Sequence, residues 1–169
     1  MTISEILLQD FDNEMKGTRT TLERVPVDKP DFKCHDKSMP LGRLAMHVAS
    51  IPRFATAILT TPGLDIANSK FPPLVLESRE QLLATFDELS AQARAALVKA
   101  SDSDLQQNWK FTFGDKVISD VPRSAIYRGL FFNHLIHHRA QLGVYLRLNN
   151  IPVPALYGPS ADDSLGFSK

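Results

Sequence analysis

The sequence predicts an all-α fold, a four-helix bundle carrying one minor β-hairpin, and three observations lead there. Apolar residues recur every three or four positions along four separate stretches. Capping residues and prolines bracket those stretches. The one alternating segment is long enough for two short strands and no more. Composition agrees with a globular chain of this class: 169 residues, 43% hydrophobic and 22% charged. One domain spanning residues 1–169 is expected. A chain of that length buries about 70% of the surface its unfolded form exposes, so neither a disulfide nor a structural metal is needed for folding.

The first helix is expected over residues 3–25. Thr2 and Glu5 have the spacing of a capping box, and Ile3, Leu7, Phe11, Met15, Thr18, Leu22 and Val25 form the buried stripe before Pro26 stops it. Residues 26–37 read as an extended connection, and Ser38 with Pro40 signals the second helix, over 39–60. Its stripe is Leu44, Val48, Ile51, Ala55 and Ile58, with a kink at Pro52 and an end at Pro62 and Gly63. Residues 61–77 are expected to be loop. Ser78 and Gln81 make a second capping box for a helix over 79–100, striped by Leu82, Phe86, Leu89, Ala93, Ala96 and Leu97. A hairpin is expected between Trp109 and Ile118 around Gly114-Asp115. The last helix, over 122–149, carries Ile126, Leu130, Phe131, Leu142 and Tyr145 on its apolar face and leads into a proline-rich tail. The loop after the second helix is long enough to allow a non-sequential arrangement.

Charge and targeting narrow the function. Nineteen basic residues against nineteen acidic ones remove the electrostatic footprint of a nucleic-acid binder. No leader pattern and no run of about 18 apolar residues is present, so a soluble cytoplasmic protein without a membrane partner is expected. The single cysteine, Cys34, cannot close an internal disulfide, which fits a reducing compartment.

The histidines are the informative residues. His134 and His138 lie four apart, about 40° from one another around a helix axis, and can chelate. His137 is rotated by about 100° from His138 and is set aside. His47 falls on the apolar stripe of the second helix, so three imidazoles converge on the bundle interior. Buried ring nitrogens need partners, and a metal ion supplies one to each. Three neutral imidazoles leave the fourth tetrahedral position of a zinc ion open. No Asp or Glu occurs between Val121 and Ala161, so an anionic fourth ligand such as hydroxide or thiolate is favoured. Neutral imidazole is required, so occupancy should fall as pH drops through about 6. The competing reading is three hydrogen-bonded core histidines.

Other residues carry weaker signals. Cys34 beside His35 suggests a thiol nucleophile, but neighbours in an extended segment point to opposite faces. His35 is a candidate fourth ligand or supporting residue; its alternative is an exposed loop histidine. Tyr127, Gln141 and Tyr145 share the histidine face and are read as core packing. Arg123, Arg128, Arg139 and Arg147 scatter around the wheel, and a solvated face explains most of them; only Arg123 lies near the His134 direction, about 16 Å away along the axis.

At these residues the chain resembles the DinB/YfiT-like family of four-helix metalloproteins. The segment Ser38-Met39-Pro40-Leu41-Gly42-Arg43-Leu44-Ala45-Met46-His47 is similar to the family's second-helix motif, and Asn133-His134-Leu135-Ile136-His137-His138-Arg139-Ala140-Gln141 to its His-x3-His motif. The tail from Leu146-Arg147 through Pro152-Val153-Pro154 to Tyr157-Gly158-Pro159-Ser160 is also typical, and the similarity runs from Ile3 to Asp163. Ala140 departs from a frequent Gly, a matter of helix packing. The resemblance implies an antiparallel bundle with one crossover, a His47/His134/His138 site for a divalent ion (zinc or nickel, with iron also in range) and frequent homodimers. It further implies thiol-dependent transferase chemistry, in which a low-molecular-weight thiol attacks an electrophilic small-molecule substrate. A hydrolase, or a stress-associated metal-binding protein without turnover, is the alternative.

Overall fold

The computed structural model describes residues 2–164 and 166, and these are mostly helical with a small three-stranded sheet. In chain order the elements are α1 (Ile3–Leu22), α2 (Leu41–Ser50), α3 (Pro52–Thr60), β1 (Gly63–Asp65), α4 (Arg79–Lys99), α5 (Asp102–Gln106), β2 (Asn108–Phe113), β3 (Lys116–Pro122), α6 (Arg123–Ile126), a π-helical segment (Tyr127–Asn133) and α7 (His134–Leu148). The four expected helices therefore return as two continuous ones, α1 and α4, and two interrupted ones.

The first interruption is the expected one. Pro52 has no N–H to donate, Ile51 N–H tightens onto Val48 O at 3.3 Å, and α3 restarts with Pro52 in its first turn. The second was not foreseen: between α6 and α7 the backbone widens over seven residues, Tyr127–Asn133, into i→i+5 bonding. The capping predictions hold at Thr2, where Thr2 and Glu5 bond reciprocally. They hold halfway at Ser78, whose hydroxyl accepts from Gln81 N–H while the Gln81 side chain accepts from Glu77 N–H instead.

Within residues 61–77, expected to be loop, β1 pairs in parallel with β2. Gly63 permits this: a Cβ there would lie 2.6 Å from Lys110 O. The hairpin is longer than expected, reaching Pro122, and turns at Gly114 with φ +56°. A short helix, α5, closed by a Ser101/Asp104 capping box, was also unforeseen. Trp109, fully buried, donates from Nε1 to Thr61 Oγ1 at 3.3 Å and fastens the sheet to the end of α3.

The core is the expected stripes brought face to face. Leu7, Phe11, Met15 and Leu22 of α1 meet Leu44, Val48, Ala55 and Ile58 of α2–α3, Leu82, Phe86 and Leu97 of α4, and Phe131, Leu135 and Leu142 of the last helical run. α1 packs on α4 and α7, while α2 packs on both α4 and α7, which sets the two histidine-bearing helices side by side. No described helix is long and apolar enough to cross a membrane.

Candidate metal centre

The position of His47 is set at the start of α2. Pro40 caps the helix without a side-chain acceptor, and the orphan N–H groups of Leu41 and Gly42 donate to Phe32 O and Pro30 O, both at 2.8 Å. Gly42 allows that approach, since a Cβ would meet Pro30 Cβ at 3.0 Å and Leu76 Cβ at 3.2 Å. The same connection holds α7: the Tyr145 hydroxyl donates to Met39 O at 2.7 Å, and its ring meets Phe32 edge-on at 5.9 Å. The helices bearing the histidines are thus tied to one another two turns from the site.

His47, His134 and His138 form a near-equilateral cluster, with ring centroids 5.0, 4.5 and 4.7 Å apart and one donor nitrogen from each within 4.8 Å of the others. His47 Nε2 stands 3.1 Å from His134 Nε2. Ligand nitrogens around a tetrahedral zinc sit ~3.3 Å apart at Zn–N of about 2.0–2.1 Å. His134 Nδ1 is buried without a hydrogen-bond partner among the described residues, although the Leu130 carbonyl one turn back favours its protonated form. His138 Nδ1 is 2.8 Å from Gln141 Oε1, which holds the Nδ1–H tautomer and frees Nε2 for the cluster. The donor set fits a divalent ion, and the three histidines could hold one.

Electrostatics favour the neutral, ligating form. Burial first, then the charges of His138, His134, Arg43 and Arg53, push His47 down to about 4. His134 is lowered by burial and by His138, and His138 by burial despite its bond to Gln141. No carboxylate joins the cluster among the described residues, so a bound cation would be balanced from outside the protein.

Burial is shallower than the helical wheel suggests. All three imidazoles are half-buried, at the rim of the helix pair rather than in its interior. They sit between two pockets. One, of about 380 Å³, runs past His138 and Gln141 to Tyr145, Ser38, Lys37 and Cys34. The other opens beside His47.

The remaining candidates separate cleanly. His137 is exposed and is not one of the three converging imidazoles, although its ring lies 4.8 Å from that of His138; Gln141 Nε2 donates to its Nε2 at 3.2 Å, so one amide braces both histidines. Gln141 is exposed, not core as expected, and the signal for its role was its position three residues after His138. His35 is an exposed loop residue whose Nδ1 accepts from Lys37 N–H at 3.1 Å, outside the cluster. Cys34 is exposed, donates to Ser38 Oγ at 3.4 Å and lines the His138 pocket; Ser38 and then Tyr145 hold its thiol below the usual range. Tyr127 is core, as expected, packed on Phe131 and Phe132. The arginines are not one solvated face. Arg139 is 2% exposed, and Arg123 donates to Ile58 O and Thr61 O, anchoring the end of α3.

A mostly helical chain with three imidazoles gathered from two helices defines a candidate histidine metalloprotein. Residues 2–165 match the DinB family, and the chain belongs to that family. Two solved structures share the fold. A DinB-like protein from Bacillus cereus ATCC 10987 is 21% identical, with a TM-score of 0.65 over 89% of this chain and 95% of that one. A DinB-like protein from Bacillus subtilis is 20% identical, with a TM-score of 0.68 over 88% of this chain and 96% of that one. No curated protein matches.

Proposed function

We propose that this protein is a metal-dependent, thiol-using S-transferase, with His47, His134 and His138 as the ligands of one divalent ion, zinc or nickel before iron. The observation that carries the reading is the triad itself, three neutral imidazoles within 4.8 Å with no carboxylate, at the rim of a pocket of about 380 Å³. When bound, the ion supplies Lewis acidity that lowers the pKa of a thiol or water. The chain's own residues do the rest. Gln141 fixes the His138 tautomer, Tyr145 ties α7 to the start of α2, and Lys37, with Arg43 and Arg53 acting on His47, makes the surroundings cationic. A cationic rim suits an anionic sulfur nucleophile. The finer architecture belongs to the same proposal: one domain, a four-helix bundle with one crossover, and a homodimer in the cytoplasm.

The test is metal analysis of tag-free protein, then turnover with a panel of low-molecular-weight thiols and electrophiles. Metal near one equivalent per chain and thiol-dependent turnover are expected. Metal with thiol-independent ester or amide cleavage makes the protein a hydrolase, metal without turnover makes it a binding protein, and no metal removes the proposal.

A further inference from the structure

The pocket on the far side of His47 has a character of its own. It measures about 180 Å³ and is walled by Phe54, Phe71 and Leu74, almost without polar surface. That is below the roughly 300–1,000 Å³ of sites for drug-sized ligands, so its occupant is small. Besides His47, the polar residues Ser50 and Arg53 stand in the apolar wall. Ser50 is 4% exposed, and its Oγ is buried beneath the wall rather than open to the pocket. Arg53 is half-buried; its Nε donates to Ser50 O at 3.0 Å, and its guanidinium lies 5.4 Å from the Phe71 ring centroid. No carboxylate pairs with it among the described residues, and burial alone acts on it, lowering its pKa. A half-buried guanidinium whose terminal nitrogens have no protein partner among the described residues is a fork that matches a carboxylate. One such cation in an apolar wall suits a monoanion better than a phosphate, which would bring about two charges and three acceptor oxygens.

We propose that this pocket, bounded by His47, Ser50, Arg53, Phe54, Phe71 and Leu74, binds the organic acid end of the electrophilic substrate: a small apolar molecule with one carboxylate, the anion on Arg53. The inference rests on the reading of the triad as the reaction centre, because His47 is the wall shared by pocket and cluster. The substrate's reacting carbon then lies at the His47 end, opposite the pocket that holds Cys34 and Lys37.

The experiment is calorimetric titration of the full-length protein with 3-phenylpropionate, 3-phenylpropionamide and acetate, with metal content measured in each sample. The acid should bind at least about tenfold more tightly than the amide, which lacks the charge, and than acetate, which lacks the apolar body. Arg53→Gln should remove that preference, and Phe71→Ala, on an exposed loop side chain, should weaken the acid without restoring the amide. His138→Ala should leave acid binding in place. Equal affinity for acid and amide, or no binding of the acid at millimolar concentration, overturns the proposal. Binding that survives Arg53→Gln and disappears in His138→Ala overturns it too, while leaving the metal reading intact, because the carboxylate would then be a metal ligand. Arg53-dependent binding by protein that takes up no metal keeps the pocket and removes the function proposed above.

Discussion

Arg139 follows His138 directly in α7, yet the two side chains sit in polar clusters of opposite character. Arg139 is 2% exposed and fully engaged: Nη2 pairs with Glu14 Oε2 at 2.7 Å, and Nη1 donates to Glu14 O and Thr18 Oγ1, both at 3.1 Å. The Tyr157 hydroxyl closes the circuit, accepting from Arg139 and donating to the Glu14 carboxylate at 2.8 Å, with its ring under the guanidinium. The histidine cluster next door is half-buried, gathers like groups and leaves nitrogens over. A polar group that the chain satisfies by itself holds the fold, whereas converging groups left short of partners are available to something else.

That contrast predicts two kinds of loss. Replacing Arg139 with Met should cost about 3–5 kcal/mol of folding stability, because it strips the cation from a carboxylate site only 13% exposed. Urea unfolding measures this, and the folded fraction should bind metal as the wild type does. A change below about 1 kcal/mol would erase the distinction. His134→Ala should do the reverse, lowering metal affinity by about a hundredfold or more while leaving the metal-free protein as stable as before; His47→Ala and His138→Ala should match it, and His137→Ala should not. Equal metal loss in all four variants would dissolve the triad. Gln141→Ala tests the brace between the two, with an expected loss of about tenfold in metal affinity and no loss of fold.

The smallest effect is a pH dependence of the metal-free protein. His47, pushed down to about 4, and His134 and His138, also lowered, bind fewer protons when folded than the ordinary imidazoles of the unfolded chain, near 6.5. The unfolded state therefore takes up protons first as pH falls. The contribution is fully present above about 6.5 and is lost as pH drops from there toward about 4. Tm should fall between pH 7 and pH 5, and the fall should be shallower in His47→Ala; an identical slope in the variant would place the effect elsewhere. Metal release should likewise come below the pH of about 6 that an ordinary imidazole gives.

The sequence made the triad legible because helical phase survives where it matters. His134 and His138 both lie inside regular α7, so a four-residue spacing still means a shared face, and His47 lies on a stripe whose other members are all buried. What stayed hidden depends on partners far along the chain. Arg139 looks like any surface arginine until Glu14, 125 residues away, is placed against it. β1 exists because Gly63 meets Lys110, and no local pattern in three residues announces that. The wheel also overstated the depth of the histidines, since periodicity gives a direction from the helix axis but not where the neighbouring helix ends. Ser101-x-x-Asp104 did carry a readable start signal for α5, in a helix only five residues long.

The π-helical segment has the effect of a phase shifter. Its seven residues stand between the end of the sheet, fixed by Arg123, and the two histidines of α7. A wider turn takes one residue more than an α turn to close, so the segment resets the direction in which everything after it points. Were these same seven residues to close as continuous α-helix with none removed, His134 and His138 would swing about 100° around their axis relative to the anchored end. Arg139 would be carried away from Glu14 by the same rotation. The register between Arg123 and His134 is thus held by two clocks at once, one set by the ion pair and one by the imidazoles, and the wide turn keeps both, its seven residues filling the rotation that about six would fill in an α-helix.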